Sequence, residues 1–157
     1  IMLNIIFYNL ISMKVKQKKK TVYCAMSGDI IHHGHINILK IASKYGEVIL
    51  GILTDEAIST YKKKPILKYK DRKTVLQSIK YIKKIIPQKT HDYSFNLIRL
   101  KPNYVIHGDD WKKGNQKNIR KKVIQLIKKW NGKLIEPSYT KKISSSLIKK
   151  KIKKKWN

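Results

Sequence analysis

The chain carries the apolar run TVYCAM at residues 21–26 and the histidine cluster HHGH at residues 32–35, where a helical pattern begins. Three of its five histidines lie in this cluster. Gly34 allows the backbone to approach a phosphate, and a helix N-terminus supplies free N–H groups and the positive end of the helix dipole. The imidazoles of His32 and His35 can donate hydrogen bonds to phosphoryl oxygens as negative charge develops on them. The stretch therefore predicts a strand, a phosphate-binding turn and a helix.

Strand and helix patterns alternate through the rest of the chain. Apolar runs predict strands at 22–26, 48–53, 84–86, 104–107 and 133–135, and Pro87 is expected to end the third of them. Helical spacing predicts helices at 36–45, 55–61, 70–79 (apolar stripe Val75, Leu76 and Ile79), 94–100 and 118–130, and a basic helix from Ser144. The alternation predicts an α/β fold: a Rossmann-like, doubly wound parallel sheet of about five strands with helices on both faces.

Three polar motifs follow predicted strands. Residues 27–35 follow the first strand, residues 54–56 (TDE) the second, and residues 108–111 (GDDW) the fourth. In parallel sheets, ligands bind at the carboxyl ends of the strands, near the switch in strand order. We therefore expect the three motifs to meet at one edge of the sheet and to form a single site.

The length of 157 residues fits one domain with a single core, expected at residues 21–157. Residues 1–20 are expected to be a disordered extension outside the fold. Their apolar part, residues 1–12, is shorter than the roughly 20 residues that a membrane span needs, and no transmembrane segment is expected. Cys24 is the only cysteine, so no internal disulfide can form, and a reducing, cytoplasmic location is expected.

The net charge of +28 is extreme, and 34 of the 37 basic residues are lysines. Base recognition in nucleic acids relies on the bidentate guanidinium of arginine, so this composition argues against a specific nucleic-acid partner. A basic protein that binds nucleic acid or an anionic membrane remains an alternative function. The lysines should in any case attract polyanionic ligands in a salt-dependent manner.

A zinc site is the alternative interpretation of the histidine cluster. Zinc sites usually combine four protein ligands, or three with an open position. His32, His33 and His35 cannot easily all face one ion, and no cysteine cluster is near them. The spacing therefore favours phosphate binding over metal binding.

Five motifs together resemble a known family. They are GDIIHHGH at 28–35, TDE at 54–56, YKDR at 69–72, GDDW at 108–111 and ISSS at 143–146. In this order and at these intervals, they are similar to the cytidylyltransferases, which belong to the wider HIGH-type nucleotidyltransferases. The resemblance covers residues 20–150, and the last two motifs favour cytidylyl over adenylyl transfer.

The resemblance implies a role for each matching residue. His32, His35 and Lys62 are expected to be catalytic. The residues expected to bind the nucleotide are Ser27, Gly28, Asp29, His32, His35, Arg72, Gly108, Asp109, Trp111, Ile143, Ser144 and Ser145. The residues expected to bind the second substrate are Asp110, Tyr139 and Asp92. The resemblance also implies a homodimer and Mg²⁺ that is bound with the CTP phosphates, without a metal site made of protein side chains alone.

Two departures from the family pattern narrow the implied substrate. Residues 139–142 (YTKK) stand where the glycerol-phosphate enzymes carry an arginine, and Gly28 replaces a common phenylalanine. These changes resemble the enzymes that activate phosphonates. The implied activity is transfer of CMP from CTP to a phosphonate or phosphomonoester, with release of pyrophosphate. 2-Aminoethylphosphonate is the favoured acceptor; phosphocholine, phosphoethanolamine and glycerol 3-phosphate are the others, and an adenylyltransferase of the same fold is the alternative.

Overall fold

A computed structural model of the chain describes residues 19–156, apart from the side chain of Asn115. Its centre is a parallel sheet in which the strand order is β3-β2-β1-β4-β5. The strands are β1 (Thr21–Met26), β2 (Glu47–Leu53), β3 (Ile82–Gln88), β4 (Tyr104–Ile106) and β5 (Lys133–Ile135). The strand order changes direction between β1 and β4, which confirms the doubly wound α/β fold and puts the switch point beside the histidine cluster.

The α-helices connect the strands in the predicted alternation. They are α1 (His33–Ser43), α2 (Asp55–Ser59), α3 (Tyr69–Gln77), α4 (Ser94–Leu100), α5 (Lys117–Ile127) and α6 (Ser145–Trp156). Short 3-10 turns cover Asp109–Lys112, Gly114–Gln116 and Lys128–Trp130, so the helix predicted at 118–130 ends in a tighter turn.

Alternate residues of β1 face opposite sides of the sheet, and each side packs against its own helices. Val22 and Cys24 belong to a buried cluster that includes residues of α1 and α3. Tyr23 belongs to a second cluster that includes residues of α4 and α5. Since both faces of a parallel sheet are apolar, only helices on both sides remove them from water. The helices therefore lie on both faces, as predicted.

Two details of the predicted elements are wrong. The third strand does not end before Pro87: it continues to Gln88, and Pro87 pairs with Ile52. Because β3 is an edge strand, one side of it has no neighbouring strand to accept an N–H bond, and a proline can be accommodated there. In α3, Leu76 is buried but Val75 is 48% exposed, so Val75 does not belong to the apolar stripe.

The predicted extension lies mostly outside the described residues, which begin at residue 19. Lys20, inside the predicted extension, already contacts the domain, because its carbonyl accepts a hydrogen bond from the Glu47 N–H at 2.8 Å. The Lys19 amine lies 3.6 Å from the Glu47 carboxylate. No helix among the described residues is both long enough and apolar enough to span a membrane.

Candidate active site

The turn between β1 and α1 fixes the orientation of two imidazoles. His32 is the N-cap of α1, and its Nδ1 accepts a hydrogen bond from the Gly34 N–H at 3.1 Å. The Nδ1 of His35 accepts one from the His32 N–H at 3.4 Å, which completes a reciprocal capping box. A neutral imidazole that accepts at Nδ1 carries its proton at Nε2. Each ring therefore offers one N–H donor, and the two ring centroids are 4.0 Å apart.

Two glycines make this turn possible. Gly28 has a φ of +64°, in the left-handed region where a side chain is strained, and an added Cβ would lie 2.8 Å from Leu76 Cδ1. At Gly34, an added Cβ would lie 2.9 Å from the His32 ring. A side chain at Gly34 would therefore displace the imidazole that caps the helix.

Both histidines are held in the neutral form. Burial, followed by the electrostatic influence of the neighbouring His32 and Lys62, lowers the pKa of His35 to about 4. Burial and the neighbouring His33 also lower the pKa of His32 below its ordinary value. At neutral pH the pair is therefore two hydrogen-bond donors and not two cations.

A cavity of about 190 Å³ opens in front of the two imidazoles, at the carboxyl ends of β1, β2 and β4. Nine of the predicted site residues line it, and they include members of the motifs at 27–35 and 108–111. These are Ser27, His32, His35, Lys62, Gly108, Asp110, Tyr139, Ser144 and Ser145. The TDE motif at 54–56 does not reach the cavity, because Asp55 pairs with Arg72 instead.

The other predicted residues lie outside the cavity lining, in the surrounding structure that we call the frame of the cavity. They are Gly28, Asp29, Arg72, Asp109, Trp111, Ile143 and Asp92.

Arg72 is the clearest example of such a frame residue. The resemblance implies that it contacts the nucleotide, but the structure buries its guanidinium beneath the turn. It donates to the Ser27 carbonyl, to the Leu67 carbonyl at 3.0 Å and to the Asp55 carboxylate at 2.6 Å. Arg72 therefore connects the turn after β1 to the start of α2 and to the segment before α3.

Asp29 has a similar role on the other side of the turn. Its carboxylate accepts from the Leu67 N–H at 2.9 Å and from the Lys149 amine of α6. Burial alone would raise the pKa of Asp29, but these hydrogen bonds outweigh it and the pKa is lowered. Asp29 is therefore a charged anchor that joins three segments around the cavity.

The GDDW motif divides its side chains between the cavity and the core. The Asp110 carboxylate reaches the cavity, whereas Asp109 accepts a hydrogen bond from the Tyr139 N–H at 2.8 Å. Trp111 is buried, and its indole N–H donates to Glu136 at 2.7 Å. Trp111 was expected to contact the ligand, but its side chain does not line the cavity. Its ring instead stacks on the ring of the cavity residue His107, with 3.9 Å between the centroids, and so supports that residue.

His107 is a site residue that the motifs did not predict. It follows the last residue of β4 and lines the cavity, with Nδ1 2.8 Å from the Gly108 carbonyl oxygen. Burial lowers its pKa, although the Gly108 carbonyl and Asp110 act in the opposite direction. The available signal was a histidine directly before GDDW at a strand end. Other unpredicted lining residues are Tyr61, Tyr93, Gln116 and Thr140.

The ISSS motif brings the start of α6 to the cavity. Ser144 accepts a hydrogen bond from the Leu147 N–H at 3.1 Å and so caps the helix. Ser145 donates to the Ile30 carbonyl at 3.0 Å, which fixes α6 to the turn after β1. Ile143 contributes a carbonyl that accepts from the Tyr139 hydroxyl at 3.3 Å. The cavity thus lies between the N-termini of α1 and α6, which both favour anions.

Asp92 was predicted to bind substrate, but its side chain instead accepts hydrogen bonds from the first residue of α4. It accepts from the Ser94 N–H at 2.9 Å and the Ser94 hydroxyl at 2.6 Å, and it pairs with Lys122 of α5. Burial would raise its pKa, but the Lys122 and Ser94 hydrogen bonds lower it. Its oxygens are therefore committed to the scaffold.

The cavity has the chemistry of an anion site with a single carboxylate. Lys62 and the two helix N-termini provide positive potential, and Asp110 is the acidic residue among the described side chains that line it. Within residues 19–156, no group of three histidine, cysteine or acidic side chains could hold a metal ion. The arrangement can bind and neutralise a polyphosphate.

Comparisons with known proteins agree with this arrangement. The family described as cytidylyltransferase-like matches residues 27–151. An FAD synthase from Archaeoglobus fulgidus is 31% identical over 106 residues, which cover 62% of this chain and 77% of that protein. An ethanolamine-phosphate cytidylyltransferase from Arabidopsis thaliana is 30% identical over 105 residues, which cover 62% of this chain but 25% of that protein.

A solved structure confirms the fold. The lipopolysaccharide core biosynthesis protein from Thermoplasma volcanium superposes with a TM-score of 0.66 and 24% identity, covering 78% of this chain and 98% of that one. The family match spans the whole region that contains the histidine turn, Lys62, the GDDW motif and the start of α6. The chain therefore belongs to the cytidylyltransferase-like family of nucleotidyltransferases.

Proposed function

We propose that the protein is a CTP-dependent cytidylyltransferase that acts on a small phosphonate or phosphomonoester. An acceptor oxygen attacks the α-phosphorus of CTP, the bond from that phosphorus to the bridging oxygen breaks, and pyrophosphate leaves. The observation that carries the proposal is the pair of oriented Nε2 donors of His32 and His35, which lie at a helix N-terminus and line the same cavity as Lys62.

The side chains around the cavity suit this reaction, which needs positioning and charge neutralisation more than a protein nucleophile. The neutral imidazoles donate to phosphoryl oxygens on which charge builds in the transition state. Lys62 adds a full positive charge from the segment after α2, and Ser144 and Ser145 bring the N-terminus of α6 to the cavity. We assign the His32–His35 pair to the α-phosphate and the α6 end to the leaving pyrophosphate.

Magnesium fits this site as a companion of the nucleotide. Mg²⁺ keeps several waters and is usually bound through substrate phosphates and one or two carboxylates, not through an all-protein cage. Mg²⁺ would therefore be held mainly by the CTP phosphates and water, which leaves the cavity carboxylate of Asp110 for the acceptor. When bound with CTP, Mg²⁺ would neutralise charge on the triphosphate.

Asp110 favours an acceptor with an ammonium group. Among the described residues, no lysine or arginine nitrogen lies within 4.0 Å of its carboxylate, and Nδ1 of the His107 ring lies 3.7 Å from it. Lysines or arginines pair with five of the nine carboxylates of the chain, namely Asp29, Glu47, Asp55, Asp92 and Glu136. Glu56, Asp71 and Asp109 share with Asp110 the lack of such a partner among the described residues, but Asp110 is the one of these four that lines the cavity. Asp110 thus remains available for a cation, and 2-aminoethylphosphonate or phosphoethanolamine would supply one.

Adenylyl transfer is the second candidate, because one relative is an FAD synthase that matches over 77% of its length. The two activities differ in nucleotide and acceptor. Pyrophosphate release should therefore be measured with CTP or ATP against 2-aminoethylphosphonate, phosphoethanolamine, phosphocholine, glycerol 3-phosphate and flavin mononucleotide. We expect release with CTP and an aminoalkyl acceptor, and none with the His32→Ala/His35→Ala double variant. Release only with ATP and flavin mononucleotide would replace the proposal by the second candidate.

A further inference from the structure

Helix α6 is attached to the domain at its N-terminal end and exposed over the rest of its length. Ser145 donates to the Ile30 carbonyl, and Lys149 pairs with Asp29, so the first turns are fixed to the site. Ile148 is half-buried, whereas every side chain from Lys150 to Trp156 is exposed. Within the part of the chain that the structure describes, the second half of the helix is therefore uncovered.

That surface is both basic and apolar. α6 has the sequence SSLIKKKIKKKW, with six lysines and no acidic residue. Ile152 is 50% exposed and Trp156 is 78% exposed. They follow Ile148 at intervals of four residues, so the three side chains lie along one side of the helix. The exposed part of α6 therefore carries an apolar stripe that is flanked by lysines.

A bilayer surface with anionic lipids complements this pattern. Lysines are attracted to anionic head groups, and their long stems can lie along apolar surface while the amines stay in water. Tryptophan prefers the boundary between head groups and acyl chains. We propose that residues 150–156 of α6 dock on an anionic lipid bilayer, with Ile152 and Trp156 inserted at the interface.

Nucleic acid is a poorer match for the same surface. Lysine neutralises phosphates but lacks the bidentate geometry that reads bases, and no arginine lies in α6. The basic surface of α5 and the turn after it makes a useful contrast. Lys121, Lys128 and Lys129 are exposed there, but the apolar residues Val123 and Ile127 of that helix are buried in the core. α6 therefore combines exposed charge with exposed apolar side chains, as interfacial helices do.

The docking surface does not depend on the proposed reaction, because the lysines and Trp156 concerned lie outside the cavity lining. Loss of membrane binding and loss of nucleotide transfer are therefore separate observations. If the protein both docks on a membrane and transfers nucleotides, the cavity at the N-terminus of α6 lies about 16 Å along the helix axis from the docked end, at a rise of about 1.5 Å per residue.

The test uses vesicles of equal parts phosphatidylglycerol and phosphatidylcholine, with pure phosphatidylcholine vesicles as the reference. Co-sedimentation of the full chain should be strong on the anionic vesicles and weak on the neutral ones. The triple variant K150Q/K151Q/K154Q should lower the partition coefficient by about a hundredfold, given the contribution of each lysine near an anionic surface. The matched triple variant K121Q/K128Q/K129Q, with the same loss of charge, should change it by less than about threefold.

Tryptophan fluorescence tests insertion. Trp111 is buried and Trp130 is half-buried, so Trp156 is the strongly exposed one of the three. Anionic vesicles should shift its emission to shorter wavelength and protect it from an aqueous quencher. Trp156→Ser should weaken binding by about tenfold, whereas Phe95→Ser, at a 68% exposed position on α4, should not.

Three results would overturn the proposal. Equal losses in the two lysine variants would mean that vesicles respond to overall charge and not to α6. Vesicle binding without a change in Trp156 emission would exclude insertion. Binding of duplex DNA that is tighter than vesicle binding, and that the K150Q/K151Q/K154Q variant alone removes, would make α6 a nucleic-acid surface.

Discussion

At the scale of single residues, the chemistry of the site depends on which ring nitrogen of each histidine accepts a hydrogen bond from the backbone. In His32 and His35, backbone N–H groups occupy both Nδ1 atoms, and the neutral rings must donate through Nε2. Removing one such donor from a transition state slows an enzyme by about two to three orders of magnitude. We therefore expect His32→Ala or His35→Ala to lower kcat by that amount. His33→Ala removes an exposed histidine from the same helix and should leave kcat nearly unchanged, and a similar loss in all three variants would contradict this assignment.

The depressed pKa of His35 makes the stability of the protein depend on pH. Between the ordinary histidine value of 6.5 and the folded value of about 4, the unfolded chain binds a proton that the folded chain does not. The free energy of unfolding should therefore fall as the pH falls through this window, by on the order of 3 kcal/mol from His35 alone. Denaturant unfolding at a series of pH values measures it. His35→Gln should flatten the slope by about one proton, in contrast to the exposed control His33→Gln; an unchanged slope would argue that His35 is not held neutral.

Asp110 gives a specificity prediction. If its carboxylate binds the ammonium of the acceptor, Asp110→Asn should raise KM for 2-aminoethylphosphonate by about 10- to 100-fold, the range of a hydrogen bond to a charged group. The KM for glycerol 3-phosphate, which has no ammonium, should change little. Steady-state kinetics with both acceptors separates this role from general damage to the site. An equal rise for both acceptors would mean that Asp110 does not select the acceptor.

At the scale of elements, the site depends on buried contacts that hold the turn after β1 against its neighbours. Arg72 of α3 makes three such contacts, and Arg72→Ala would leave the Ser27 and Leu67 carbonyls and the Asp55 carboxylate without this partner. We expect the free energy of unfolding to fall by about 2–3 kcal/mol, measured by denaturant unfolding. Arg72→Lys should restore only part of it, because an ammonium lacks the guanidinium fork. Lys70→Ala, at an exposed position of the same helix, is the control, and a comparable loss there would contradict the argument.

The same elements show what the sequence could and could not predict. The helical spacing of apolar residues and the continuous apolar runs were sufficient to predict the five strands and the helices between them. Parallel strands that are buried on both faces consist of uninterrupted apolar residues, which are easy to recognise in a sequence. These patterns misplaced the end of β3, because a proline ends a central strand but can be accommodated in an edge strand. The sequence does not show that β3 is an edge strand, since strand order depends on contacts between residues that are distant in sequence. Val75 was misassigned for a related reason, because the helix pattern does not show which side of α3 meets the sheet.

At the scale of the whole molecule, the site could be located from the sequence because three strand ends must meet at one edge of the sheet. Which motif residues face the cavity could not be predicted. Asp29 and Trp111 lie within two residues of the cavity residues Ser27 and Asp110, and Arg72 belongs to a motif of the resemblance. The side chains of all three nevertheless contact the structure around the cavity and do not line it. His107 was missed because its role depends on the stack with Trp111 and on the exact end of β4.

The proposed reaction joins CMP to a small acceptor in the cavity. The most direct measurement is ³¹P NMR of the product formed from CTP, Mg²⁺ and 2-aminoethylphosphonate. We expect two coupled resonances of a new phosphonate–phosphate anhydride together with free pyrophosphate, and no such product with the His32→Ala/His35→Ala variant. Unchanged CTP and acceptor after prolonged incubation, in a sample that converts ATP and flavin mononucleotide to an adenylylated product, would contradict the proposed reaction.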